Sequence, residues 1–186
     1  MDELVRLHSI YLNYGDGIRP HFQAVLQNPA TVALKYVLDQ EIVGILIYAE
    51  GISLSGPHPE LIERIRTLAN GAKVYTGDAV LVSSRCRGMG VADALYRRAS
   101  ALLEERGTEL MLHELWVYPN GSIPSRPVLK FFGPYLFLGQ FEGFYKDFYH
   151  YGYVCPICGE HCICAAELYL SRLKGDSVEW NESDWA

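Results

Sequence analysis

The sequence predicts a mixed α/β (α+β) fold for this 186-residue chain. Three observations predict it. Apolar runs of strand length alternate with segments of helical periodicity through most of the chain. The buried-strand pattern Ala79-Val80-Leu81-Val82 leads through Arg85-Cys86-Arg87-Gly88-Met89-Gly90 into a helix, where Val91, Leu95, Ala99 and Leu102 recur at helical spacing as far as Gly107. A break at Asp39-Gln40-Glu41 separates two further strand patterns, as in a hairpin.

The elements follow in order. Residues 4–10 read as a first strand, and residues 20–27 as a short helix opened by its proline. Residues 32–38 and 42–49 are the hairpin strands. Residues 59–69 carry Leu61, Ile62, Ile65 and Leu68 on one helical face and stop at Asn70-Gly71. Residues 73–83 form the strand into the glycine turn, 88–106 the helix after it, and 109–118 the next strand. Residues 125–132 form a short helix around Pro127, and 141–154 with 163–173 a final antiparallel pair. With no repeat or low-complexity linker, residues 1–173 read as one domain. Residues 174–186 are a polar tail that docks through Trp180 and Trp185 or frays.

Composition bounds the function. Apolar content of 49% and charge of 20% describe a globular protein. A net charge of −6 without a basic stripe argues against nucleic acid and is compatible with a cationic amine. No apolar run approaches the roughly 20 residues that span a membrane, and the start lacks a basic-then-apolar leader. A cytoplasmic location without membrane contact is the expectation.

The strand–glycine turn–helix at 79–107 suits an anion. Glycines let the backbone approach closely, and the first helical N–H groups point outward unpaired. Successive amides there form a nest for a pyrophosphate, with positive charge from Arg85 and Arg87. The plain alternative is a turn whose glycines only relieve crowding.

This Arg-x-x-Gly-x-Gly, between a strand and a helix, resembles the acetyl-CoA loop of the GNAT superfamily of N-acyltransferases. Leu115-Trp116-Val117-Tyr118-Pro119-Asn120, followed by residues 125–132, resembles that family's fifth strand and fourth helix. The resemblance implies a mixed, mostly antiparallel central sheet flanked by helices, with residues 59–69 as an extra helix. It implies direct transfer of an acetyl group from acetyl-CoA, the co-substrate, to an amine. Arg85, Arg87, Gly88, Met89, Gly90 and Val91 would hold coenzyme A, with Asn120 at the family's asparagine position. The strand at Leu81 and Val82 would offer an N–H to the developing oxyanion, a donor whose loss typically costs roughly 2.7–4 kcal/mol. Asp78 is the first choice of general base, with His113 and Glu114 on the neighbouring strand. The chain departs from the pattern in Val128-Leu129-Lys130-Phe131-Phe132, where phenylalanine stands in place of the tyrosine acid. Tyr135 is then the candidate acid, with Tyr145 and Tyr149 as others.

Four of the five cysteines lie in Cys155-Pro156-Ile157-Cys158-Gly159-Glu160-His161-Cys162-Ile163-Cys164. Cys-Pro-x-Cys-Gly resembles half of a zinc ribbon, and Cys155, Cys158, Cys162 and Cys164 are candidate ligands of a structural zinc ion. In a regular strand, residues two apart sit roughly 6.5 Å from each other. Unless the chain bends there, Cys162 and Cys164 are therefore not expected to ligate together from a regular strand, and His161 or His150 could complete the set. A disulfide or free thiols are the alternatives. Cys86 reads as a small residue between two arginines, facing solvent or cofactor. The aromatic-rich stretch 141–153 is a candidate pocket wall or homodimer contact, besides plain core packing. Two other functions stay open: a coenzyme A sensor without turnover, and an interaction protein built on the zinc hairpin.

Overall fold

The computed structural model describes residues 1–12, 18–151 and 154–173. It departs from expectation at once, because residues 4–10 belong to a helix, α1 (Asp2–Leu12). Leu4, Val5 and Leu7 meet one sheet face at helical spacing, and Asp2 and Glu3 sit in the first turn, where the helix dipole favours acids. The second helix, α2 (Ile18–Gln27), buries Ile18 and Phe22 against the same face.

The hairpin of β1 (Val32–Leu38) and β2 (Glu41–Glu50) forms as expected. Asp39 and Gln40 take φ of 50° and 66°, the two left-handed positions of a tight two-residue turn. Helix α3 (Pro59–Ala69) starts on its proline and ends with Asn70 at φ 47°. Next come β3 (Val74–Val82), a 3-10 turn at Ser84–Cys86, α4 (Val91–Glu105) and β4 (Leu110–Val117). A 3-10 segment at Arg126–Phe131 then leads to β5 (Tyr135–Phe141), and the described chain closes with β6 (Ala165–Arg172).

The partner of β6 is therefore Tyr135–Phe141, not residues 141–154. The chain turns at Gly143 (φ 58°), and Phe144, Tyr145 and Phe148 pack ring to ring instead of alternating across a sheet. Residues 152–153 of the expected strand lie outside the described residues, as does the whole tail, 174–186.

The six strands form one sheet in the order β1-β2-β3-β4-β6-β5. Every pairing is antiparallel except β3 with β4, which gives the mixed, mostly antiparallel sheet expected. Helix α4 and the Arg126–Phe131 segment cover one face through Val91, Leu95, Ala99, Leu103, Val128 and Leu129. The other face carries α1 and α2 over Ile45, Ile47 and Leu81, and α3 with the cysteine-rich segment over Leu110, Leu112, Leu168 and Leu170.

Two irregularities place the site. Strand β3 has a bulge at Asp78, because Tyr48 pairs Gly77 while Ile47 pairs Ala79. The parallel pairing of β3 with β4 covers only Val74 to Thr76 against Leu110 to Leu112. Beyond those residues β3 stays with β2 and β4 with β6, and the two parallel strands diverge.

Candidate active site

The divergence of β3 and β4 opens a cleft of about 860 Å³, within the usual range for small-molecule sites. Residues 77–82 form one wall and residues 113–116 the other. Ser83 donates its N–H to Val43 across β2 at 2.8 Å. Antiparallel pairing alternates, so Leu81 also turns its amide to β2, while Val80 and Val82 turn theirs to the open side. Of the two expected oxyanion donors, Val82 thus offers an N–H to the cleft and Leu81 only its side chain.

At one end of the cleft stands the glycine loop. Gly88 and Gly90 take φ of 75° and 80°, and a Cβ on either would meet nothing within 4 Å. Glycine is needed there for backbone handedness, and the space above the loop is open. Gly90 is the N-cap of α4, and no side chain caps the helix there. The amides of Val91, Ala92 and Asp93 precede the first intrahelical bond, from Ala94 to Gly90, and remain available to an anion. Val91 itself is buried and can contribute only its amide, whereas Met89 is exposed.

The two arginines separate. Arg87 lines the cleft, whereas Arg85 pairs with Glu41 at the β1–β2 hairpin and lines a different, smaller pocket. Arg85 is thus not brought to the cleft. Cys86 faces neither solvent nor cofactor but is buried in the α4 core. Sequence reasoning missed Gly44. A Cβ there would stand 2.7 Å from Val91 Cγ1 and 3.1 Å from Leu95 Cδ1, so glycine lets the start of α4 close onto β2.

At the other end stand two carboxylates. Asp78, on the bulge, accepts a hydrogen bond from His21 of α2 at 3.1 Å, and that bond raises the His21 pKa. Glu114 accepts the Ser55 N–H at 2.8 Å. Burial pushes Glu114 above the ordinary carboxylate range; Ser55 and Tyr145 oppose this, and the nearby Asp78 charge adds to it. Asp78 is thus engaged with a histidine, and Glu114 with a backbone amide and a tyrosine hydroxyl, and both carboxylates line the cleft. His113 is unsuited as a base: burial lowers it to about 3, and it bonds Ser171 Oγ at 2.8 Å.

Tyr135 lies on β5 opposite Ser171, level with the closed end of the β3–β4 pair, and packs on Tyr169. It is half exposed and outside the cleft lining, so the structure does not bring it to the site. Tyr145 and Tyr118 do line the cleft, each against Trp116. Asn120 accepts from the Ser122 N–H and hydroxyl and shapes the turn after β4, also outside the lining.

All four clustered cysteines converge, their sulfurs within 4.8 Å of one another. The sulfurs of Cys155 and Cys158 are 3.3 Å apart, Cys158 and Cys164 3.7 Å, and Cys155 and Cys164 4.0 Å. The bend that joint ligation by Cys162 and Cys164 requires is present, because residues 162–164 are not a regular strand. The amides of Ile157 and Ile163 point at the sulfurs of Cys155 and Cys158, each at 3.4 Å, as donors to thiolates do.

No protein-family model matches the sequence, and no curated protein matches it. Solved structures share its fold. An aminoglycoside 6′-N-acetyltransferase complexed with coenzyme A superposes with a TM-score of 0.62 at 14% identity, over 94% of this chain and 91% of that one. The ribosomal-protein-alanine N-acetyltransferase from Brucella melitensis gives 0.53 at 11%, over 82% and 75%. A GNAT-family protein from Desulfovibrio desulfuricans gives 0.51 at 14%, over 86% and 80%. Identities this low carry the fold and not the activity. The chain is built on the fold of the GNAT acetyltransferases.

Proposed function

We propose that this protein is an acetyl-CoA-dependent N-acetyltransferase that moves an acetyl group directly to the primary amine of a cationic acceptor. The carrying observation is the cleft between β3 and β4, with a glycine loop and helix N-terminus at one end and two carboxylates at the other. The first end suits a pyrophosphate, the second an ammonium. The acceptor also fits the chain's net charge of −6.

Holding both substrates side by side removes roughly 7–11 kcal/mol of barrier. Glu114 takes the ammonium proton, directly or through water, and Asp78 with His21 orients the amine. The nitrogen then bonds to the acetyl carbon while the Val82 N–H steadies the carbonyl oxygen. The carbon–sulfur bond breaks, and the thiolate leaves with its electron pair. Tyr118 or Tyr145 supplies the proton it takes up, and the second proton of the acylated nitrogen passes through water to replace the one the tyrosine gave. The four-thiol cluster is assigned a structural zinc ion, outside the transfer itself. A cluster of thiols kept reduced for a metal ion favours a reducing, cytoplasmic setting.

Acetyl transfer to a panel of polyamines, aminoglycosides and peptide N-termini, followed by free-thiol release, tests the reading. Turnover with a cationic amine supports it. Acetyl-CoA binding without turnover on any member would favour a sensor, the reading suggested by Phe131 and Phe132 in place of a tyrosine.

A further inference from the structure

We propose that the Cys155, Cys158, Cys162 and Cys164 thiolates bind one zinc ion, and that this centre holds the acceptor wall of the cleft in place through Trp116 and Tyr145. The inference rests on the assignment of a metal to these thiols. Tetrahedral zinc with sulfur at roughly 2.3 Å sets its ligand sulfurs about 3.8 Å apart. The 3.3, 3.7 and 4.0 Å among Cys155, Cys158 and Cys164 bracket that value, and the Cys162 sulfur stands within 4.8 Å of all three. Cys155, Cys162 and Cys164 are buried and Cys158 partly so, which closes the site to substrate and makes it structural.

The link to the cleft runs through named contacts. Trp116 lies against the Cys164 sulfur and lines the cleft two residues beyond Glu114 on the same strand. Its indole packs on Tyr145, with centroids 5.6 Å apart, and Tyr145 hydrogen-bonds Glu114. Tyr145 continues to Phe148, and Phe144 stacks on His58 at 4.0 Å, beside the loop that carries Ser55. From the knuckle itself, Pro156 and Ile157 enter the lining directly. Trp116, Phe144, Tyr145 and Phe148 share one apolar cluster with the four cysteines, and the glycine loop takes no part in it.

Metal removal should loosen the acceptor wall and leave the acetyl-CoA end unchanged. The test starts with elemental analysis of full-length protein purified without a histidine tag, for which one zinc per chain is expected. The ion is then stripped with an organomercurial and EDTA, and hydrogen–deuterium exchange is compared before and after. Exchange should rise about tenfold or more in residues 142–151 and at the Ser55 amide, and stay unchanged in α4. Zinc well below stoichiometric, or iron in its place, overturns the metal assignment. Stoichiometric zinc whose removal loosens only residues 154–165 leaves that assignment standing and overturns the link to the wall. If stripping loosens the whole chain, Trp116→Phe decides. It should retain its zinc and still show raised exchange at residues 142–151, and unchanged exchange there would overturn the link.

Discussion

The backbone N–H of Ser55 donates to the Glu114 carboxylate at 2.8 Å, tying the β2–α3 loop to the strand opposite the glycine loop. Burial raises Glu114 above its ordinary pKa of 4.5. As a base it must be ionised, so the rate should climb with pH through that raised value. Glu114→Gln should lower kcat by about 10²–10⁴, the usual worth of a general base, and abolish this acid limb. Its KM for acetyl-CoA should move less than twofold. A full pH–rate profile of both proteins checks this, and an unchanged acid limb would remove Glu114 from the role.

The two arginines of the loop should part company. Arg85 is held by Glu41 at the hairpin, and Arg87 lines the cleft. Arg87→Ala should raise the KM for acetyl-CoA about tenfold, whereas Arg85→Ala should leave it within twofold. Steady-state kinetics at fixed acceptor distinguishes them.

Gly44→Ala tests how α4 is seated. The added methyl would stand 2.7 Å from Val91 Cγ1 and force the helix start away from β2. The expected loss of stability is about 1–3 kcal/mol, with weaker acetyl-CoA binding because the amides of residues 91–93 move. Urea unfolding and calorimetry read the two effects.

Acid should destabilise the fold through histidines kept neutral by burial. His8 is lowered to about 4 and His113 to about 3, against 6.5 for an unperturbed group. The unfolded chain therefore binds more protons below pH 6.5, and stability falls as pH drops. Each histidine accounts for about 2 kcal/mol between pH 7 and pH 5. His21 works the other way: its raised pKa gives stability that is present below 6.5 and lost as pH rises through the folded value. His113→Gln should lower stability at pH 7 and flatten the loss between pH 7 and pH 5, as urea midpoints at the two pH values will show.

The hairpin at Asp39-Gln40, α3 with its proline and Asn70 stop, and the strand–glycine–helix unit were legible because local chemistry determines each. The first helix was missed because seven apolar-rich residues at 4–10 fit either period until a sheet face selects one. The β5–β6 pair was shifted because clustered aromatics at 144, 145 and 148 resemble strand composition without its alternation. The left-handed turn at Gly88 and Gly90, with Arg87 beside it, could be read from spacing. The engagement of Arg85 with Glu41, the distance of Tyr135 from the cleft and the role of Gly44 depend on residues brought together only by the sheet. The four thiols came from sequence, but their joint geometry needed the bend at residues 162–164.

The central claim is that the loop at Gly88 and Gly90 is a coenzyme A site, and calorimetric titration of acetyl-CoA tests it most directly. Wild-type protein should bind in the micromolar range, and a folded Gly88→Trp, Gly90→Trp variant should not. Absence of binding to the wild type, or equal binding to the variant, would contradict the account.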